Sequence, residues 1–189
     1  MNIYLTRHGQ TLWNTEKRMQ GMNNSPLTKE GREGAVKLGR ELSSMPGRIS
    51  RVLVSPLPRT LHTAQLILSN CDYKIPLTIE KDLREMSLGI FEGMVTSEAS
   101  KLYPDTYDRF VNDPDNYVPV DGGETFADVI KRAQNIINKL KAYEKEDNVL
   151  LISHMIMVEA LLFVTGTSDV EDLRKTGPIE QTKLYKITI

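Results

Sequence analysis

Residues 1–14 read MNIYLTRHGQTLWN, and the abrupt change of character after Leu5 decides how the rest of the chain is read. Ile3, Tyr4 and Leu5 form a short apolar run that gives way to Arg7, His8 and Gly9. A run of this kind bounded by glycine is the pattern of a buried strand that delivers its last side chains to a sheet edge. In open α/β sheets, ligands bind beyond the carboxyl ends of the strands, so Arg7 and His8 stand where chemistry is usually placed. Alone, the triplet also fits a structural histidine at a strand end. Its weight depends on what other strands bring beside it.

Other strands end in the same way. Ile49–Ser55 reads as a buried strand running into SPLPRTLHTAQ, which offers Ser55 and, on the following helix with Leu61, Ala64 and Leu68, Arg59. Asn148–Ser153 is a further apolar strand, closing on His154 and followed by a largely buried helix through Leu162. Between them, Thr28 is placed to cap a helix with Ala35, Leu38, Leu42 and Met45 on one face, stopped by Pro46 and Gly47. Thr125 and Asp128 have capping-box spacing ahead of a stripe of Val129, Ala133, Ile136, Ile137 and Leu140. Ile75–Ile79 reads as a third strand, and Thr182–Ile189 alternates like an edge strand. Strands separated by helices, with right-handed crossovers, give the α/β class: a three-layer sandwich around a mostly parallel, doubly wound sheet with an antiparallel edge strand.

Three strand ends can therefore converge, bringing together Arg7, His8, Ser55, Arg59 and His154. Two imidazoles and two guanidiniums without acidic ligands beside them make a poor metal site and a good phosphate site. Arginine grips phosphoryl oxygens with a bidentate fork, and a neutral imidazole is a competent nucleophile. His62, one turn beyond Arg59, is expected to be an exposed or packing histidine rather than part of the pocket rim. Gly9 is expected where backbone approaches a ligand closely.

Composition narrows the field. With 189 residues and a formal net charge of −1, one domain spanning 1–189 is expected, and no block of like charge marks a nucleic-acid or membrane surface. Cys71 is the only cysteine, which excludes an internal disulfide and a cysteine metal cage. No signal-peptide pattern or long apolar run is present, so a soluble, cytoplasmic protein is expected. Oligomeric state is not legible.

Taken together, RHGQTLWN at 7–14, Gln20 and Gly21, SPLT at 25–28 leading to Gly31, SPLPRTLHTA at 55–64, LREMSLGIFEG at 83–93, GGET at 122–125 and SH at 153–154 resemble the histidine phosphatase superfamily, also called phosphoglycerate-mutase-like, over nearly the whole chain. The resemblance implies that His8 attacks phosphorus, becomes a phosphohistidine and is freed by water, with no metal and no cofactor. It implies that Arg7, Arg59 and His154 hold the phosphoryl oxygens, that Asn14, Gln20, Gly21 and Met155 contribute to substrate binding, and that a small cap insertion at about 86–122 covers the strand ends. A leaving alkoxide needs a proton and the later water must lose one, so a carboxyl group should serve both steps. Glu85 matches the glutamate of LREMSLGIFEG, with Glu92 as the alternative and Glu80 and Asp82 as neighbours. The chain departs from the family after the second histidine, where Met155 and Ile156 stand in place of the usual glycine and Glu159 in place of a common arginine.

The 86–122 segment carries Phe91, Tyr103, Tyr107, Phe110 and Tyr117, half of them expected as cap core. It holds seven carboxylates (Glu92, Glu98, Asp105, Asp108, Asp113, Asp115, Asp121) against Lys101 and Arg109, and lacks the paired arginines of the mutases. A phosphomonoesterase is therefore expected, acting on a small-molecule phosphate monoester whose non-phosphate part is neutral or partly apolar. The alternatives are a cofactor-dependent phosphoglycerate mutase and a non-catalytic phospholigand-binding protein.

Overall fold

In the computed structural model, which describes residues 1–144, 147–167, 173 and 179–188, the strands converge in one five-stranded sheet. β1 (Asn2–Arg7) leads through the short helix α1 (Leu12–Thr15) to α2 (Lys29–Ser44), and β2 (Arg51–Val54) is followed by α3 (Pro58–Ser69) and β3 (Leu77–Ile79). Then come α4 (Thr96–Leu102), α5 (Pro104–Asn112), α6 (Phe126–Leu140), β4 (Asn148–Ser153), α7 (Met155–Val164) and β5 (Tyr185–Thr188). The order across the sheet is β3-β2-β4-β1-β5. Every pairing is parallel except that of β5 with β1.

The layers follow from the alternation of side chains along buried strands. One face of the sheet, with Ile3, Leu5, Leu53, Val149 and Leu151, packs against the inner stripe of α6 and the helix α7. The other, with Tyr4, Val52, Val54, Leu150 and Ile152, packs against Ala35, Leu38 and Leu42 of α2 and Ala64 and Ile67 of α3. Both long crossover helices start where their caps demand. The Thr28 hydroxyl accepts from Gly31 N at 3.0 Å, and Thr125 and Asp128 form a reciprocal capping box. Truncating a fully buried stripe residue such as Ile136 to alanine would cost about 2–5 kcal/mol.

Two strand bounds are corrected. The third strand is confined to Leu77–Ile79, because Pro76 supplies only a carbonyl to the ladder, and as a sheet edge it leaves Leu77 and Ile79 39% and 53% exposed. The last strand begins at Tyr185 rather than Thr182, since Thr182 takes φ 53° while its N–H donates to the Arg7 carbonyl; Ile189 lies outside the described residues. For Gly9 the structure gives a packing reason: a Cβ there would overlap the backbone of Gly31, and one on Gly31 would overlap Gln10. The loop after β1 and the first turn of α2 thus touch main chain to main chain. No described helix is long and apolar enough to cross a membrane.

Candidate active site

Parallel pairing in register brings three strand ends level. Arg7 lies opposite Ser153, His8 N donates to the Ser153 carbonyl at 3.0 Å, and Ser55 N donates to the Ile152 carbonyl at 3.0 Å. His8 and His154, the residues just beyond β1 and β4, consequently face each other with ring centroids 5.3 Å apart. Beyond them lies a cavity of about 240 Å³ whose walls include Arg7, His8, Asn14, Gln20, Gly21, Arg59, Glu85 and Met155. His154 is fully buried just behind this wall. His62 is exposed on the outer face of α3.

The hydrogen bonds fix the state of each group. His8 Nδ1 lies 2.8 Å from the Gly9 carbonyl, which can only accept, so the proton sits on Nδ1 and the lone pair of Nε2 is left for the cavity. Burial holds the His8 pKa well below the usual histidine range, and the charges of Arg7 and Arg59 push it the same way. His154 Nε2 lies 2.7 Å from Ser55 Oγ. That oxygen also accepts from Leu57 N at 3.3 Å; its hydroxyl proton is free to go to Nε2 at the same time, and in that tautomer the imidazole proton is on Nδ1. His154 is likewise held neutral, by burial first and then by Arg59, His8 and Arg7.

The guanidiniums are anchored at one end and open at the other. Arg59 donates through Nη1 to the Asn23 carbonyl (2.7 Å) and through Nη2 to the Gly21 carbonyl (2.8 Å); Gly21 turns there at φ 51°. Arg7 donates through Nη1 to the Ile179 carbonyl at 3.0 Å. The Nε atoms of both arginines and Nδ1 of His154 are buried without a hydrogen-bond partner among the described residues. Unpaired buried donors are costly unless a ligand meets them, and three of them around one imidazole suit the oxygens of a phosphoryl group. Desolvation lowers the pKa of Arg59 to about 10, still leaving it charged at neutral pH; burial lowers Arg7 too, opposed by the charges of Glu85 and Glu159. Glu159 is thus not an idle departure: buried inside α7, it stabilises the cationic form of Arg7.

Asn14 binds the loop through Oδ1, which accepts from Thr11 N and Oγ1, and Gln20 Nε2 donates to the same Thr11 hydroxyl at 2.8 Å. Glu85 accepts from Met86 N at 3.0 Å, and it is the one carboxylate among the residues lining the cavity. Glu92, the alternative, is occupied elsewhere: its Oε1 takes N–H donors from Met22 and Leu88 and ties the Gly21 turn to the 87–92 segment. Glu80 and Asp82 pair with Lys139.

The acidic balance of the 86–122 segment does not reach the cavity, which corrects the electrostatic expectation. That segment lends the walls Leu88, Thr96, Tyr107, Phe110 and Val111 and no carboxylate. The reason is helical period: Tyr107, Phe110 and Val111 share the inner face of α5, while Asp105 and Asp108 are exposed on the outer one. Phe91 and Tyr117 are buried as core.

Sequence reading missed two features. Arg132 falls inside the apolar stripe of α6, between Val129 and Ala133. There it donates to the carbonyls of Asp82 (2.7 Å) and Arg84 (2.8 Å) and forks onto Glu124, which also accepts from Arg84 and Ser87 N. This network holds the main chain on both sides of Glu85. A charged residue at a stripe position was the available signal. Lys17 and Arg18, at the cavity mouth, carried none.

A neutral imidazole lone pair ringed by cationic and N–H donors at the carboxyl edge of a parallel sheet defines the class: a phosphoryl-transfer enzyme built on an α/β sandwich. A family model of the histidine phosphatase superfamily (branch 1) matches residues 3–189, and the chain belongs to that family. It is 31% identical to phosphoglycerate mutase-like protein 4 of Arabidopsis thaliana over 159 residues, 84% of this chain and 68% of that protein. Among solved structures, Bacillus stearothermophilus YhfR superposes with a TM-score of 0.90 at 31% identity, covering 100% of this chain and 91% of the other. The alpha-ribazole phosphatase of Shigella flexneri superposes with a TM-score of 0.83 at 28% identity, covering 100% and 91%.

Proposed function

We propose that this chain hydrolyses small phosphate monoesters through a phosphohistidine on His8, without a metal ion. The observation that carries the reading is the set of three buried nitrogens without a hydrogen-bond partner among the described residues, Arg7 Nε, Arg59 Nε and His154 Nδ1, on side chains close to the imidazole whose Nε2 keeps its lone pair. His8 Nε2 attacks phosphorus in line as the ester P–O bond breaks. Arg7 and Arg59 neutralise the equatorial oxygens, the neutral His154 donates an N–H to them, and Asn14 adds a donor from α1. Glu85, in its acid form, gives its proton to the leaving alkoxide. Water then attacks the phosphohistidine, Glu85 takes the proton back, and inorganic phosphate leaves with His8 neutral again. The charge on phosphorus is met throughout by protein cations, so no metal is needed.

Walls of Met19, Leu88, Tyr107, Phe110, Val111 and Met155 support an organic, partly apolar alcohol portion, and the phosphatase title of the Shigella structure supports hydrolysis. A phosphoglycerate mutase is the second reading, favoured by the name of the Arabidopsis relative and by the absence of cap carboxylates from the cavity walls. Supplying 3-phosphoglycerate with a catalytic amount of the 2,3-bisphosphate separates them: phosphate should form faster than 2-phosphoglycerate, and the reverse overturns hydrolysis in favour of mutase. Quenched turnover in chelator should contain an acid-labile, base-stable adduct that His8→Ala lacks. An adduct persisting in that variant, or activity restored only by added metal, refutes the proposal, and failure to form any adduct points to a non-catalytic binder.

A further inference from the structure

Four cationic side chains line the cavity, and three are already committed. Arg7 and Arg59 are tied to the carbonyls of Ile179, Gly21 and Asn23, and their Nε atoms are the buried donors assigned above to the phosphoryl group. Arg18 binds Glu16 at 2.9 Å and the Gly93 carbonyl at 2.6 Å, and lies over the Trp13 ring. Lys17 is different: its ammonium has no ion pair or hydrogen bond among the described residues, although its side chain forms part of the cavity mouth.

The backbone of Lys17 adds an independent observation. At φ 54° it occupies the left-handed region that favours glycine. The conformation is imposed from both sides: Lys17 N donates to the Asn14 carbonyl at 3.2 Å, and its own carbonyl accepts from Thr96 N, at the start of α4, at 3.0 Å. The residue thus joins the loop that carries Asn14 to the segment over the cavity. A lysine held where glycine would be easier, with its amine at the rim of an anion site and unpaired, is well placed to bind charge.

We propose that Lys17 receives a second anionic group, a carboxylate or a second phosphate, on the alcohol portion of the substrate. Its flexible four-carbon stem and compact charge suit either group without demanding a fixed bidentate geometry. The substrate class is then a phosphate monoester with an apolar or hydroxylated body and a distal anion. The assignment rests on the reading of His8 and its donors as the phosphoryl site.

The test compares matched pairs of esters that differ only in the distal anion: 3-phosphoglycerate against glycerol 3-phosphate, and propane-1,3-diol bisphosphate against propyl phosphate. The measured quantity is the ratio of kcat/KM within each pair. Because Lys17 is exposed, Lys17→Met should lower that ratio about fivefold. Lys17→Arg should restore it, and raising salt should erase the wild-type preference. The pair that responds identifies the anion. Lys17→Gly, which frees the backbone constraint, should lose the preference with no fall in melting temperature, which excludes a loop collapse as the cause. Dissociation constants for the same four esters, measured by calorimetry, read the subsite even if no ester is turned over. An unchanged binding ratio in Lys17→Met overturns the Lys17 assignment, whereas absent turnover with a changed ratio overturns only the hydrolytic reading.

Discussion

Replacing Arg132 with methionine should damage catalysis from a side chain that lies outside the cavity wall. The guanidinium is 8% exposed, donates to the Asp82 and Arg84 carbonyls, and forks onto Glu124. Removing one partner of a buried ion pair costs about 3–5 kcal/mol. Glu124 would keep Arg84 at 2.8 Å and Ser87 N at 2.9 Å, so the lower end applies. For a domain of this size about 3 kcal/mol corresponds to a melting temperature lower by roughly 6–12 °C. The variant should therefore remain folded at 20 °C, where activity can be read. Without its carbonyl anchors the 82–85 segment loosens, and a displacement of Glu85 near 1 Å would slow proton transfer by about 10²-fold. That loss should appear in the rate of phosphoenzyme formation from glycerol 3-phosphate, whose alkoxide needs a proton, and not from p-nitrophenyl phosphate, whose phenolate leaves unaided; dephosphorylation, common to both esters, should slow alike. Because Arg132 is argued to act through Glu85, its effect should largely vanish in a Glu85→Gln background. Equal slowing of phosphoenzyme formation from both esters, or additive losses in the double variant, would refute this role for Arg132.

Glu85→Gln itself should accumulate phosphohistidine when charged with p-nitrophenyl phosphate, since attack survives but the water is no longer activated; a burst of nitrophenol followed by a slow steady state is the expected trace. Stability should fall as pH drops below about 6.5, because the unfolded chain takes up protons there that buried His8 and His154 refuse; each contributes a slope approaching 1.4 kcal/mol per pH unit, readable in urea titrations, and a flat profile from pH 7 to 5 would contradict their neutral burial. Gly31→Ala should lower stability in urea titrations by about 1–3 kcal/mol of overpacking even though helix propensity alone favours alanine by about 1 kcal/mol, because the new Cβ meets the Gln10 main chain.

Much of the molecule was legible in one dimension because its signals are local. Alternating and continuous apolar runs mark β1, β2 and β4, the Thr28 and Thr125 caps mark two helix starts, and the polar residues after each strand mark the edge where His8, Arg59 and His154 meet. Strand order, by contrast, is a matter of tertiary packing. The sheet places β4 between β1 and β2, and that adjacency brings Ser55 Oγ within 2.7 Å of His154 Nε2. Charge in the 86–122 segment misled for the same reason: composition counts carboxylates, but only the helical face of α5 decides which side chains see the cavity. Arg132 and Lys17 were invisible because their importance lies in partners 48 and 79 residues away, Arg84 and Thr96, which only folding brings within hydrogen-bond distance. The sequence by itself determined which residues can do chemistry and near which strand end each would stand. Which donors and which cavity cation have no partner among the described residues, and which glycines let main chains touch, were decided by the tertiary structure, since burial and hydrogen-bond satisfaction are properties of neighbours in space.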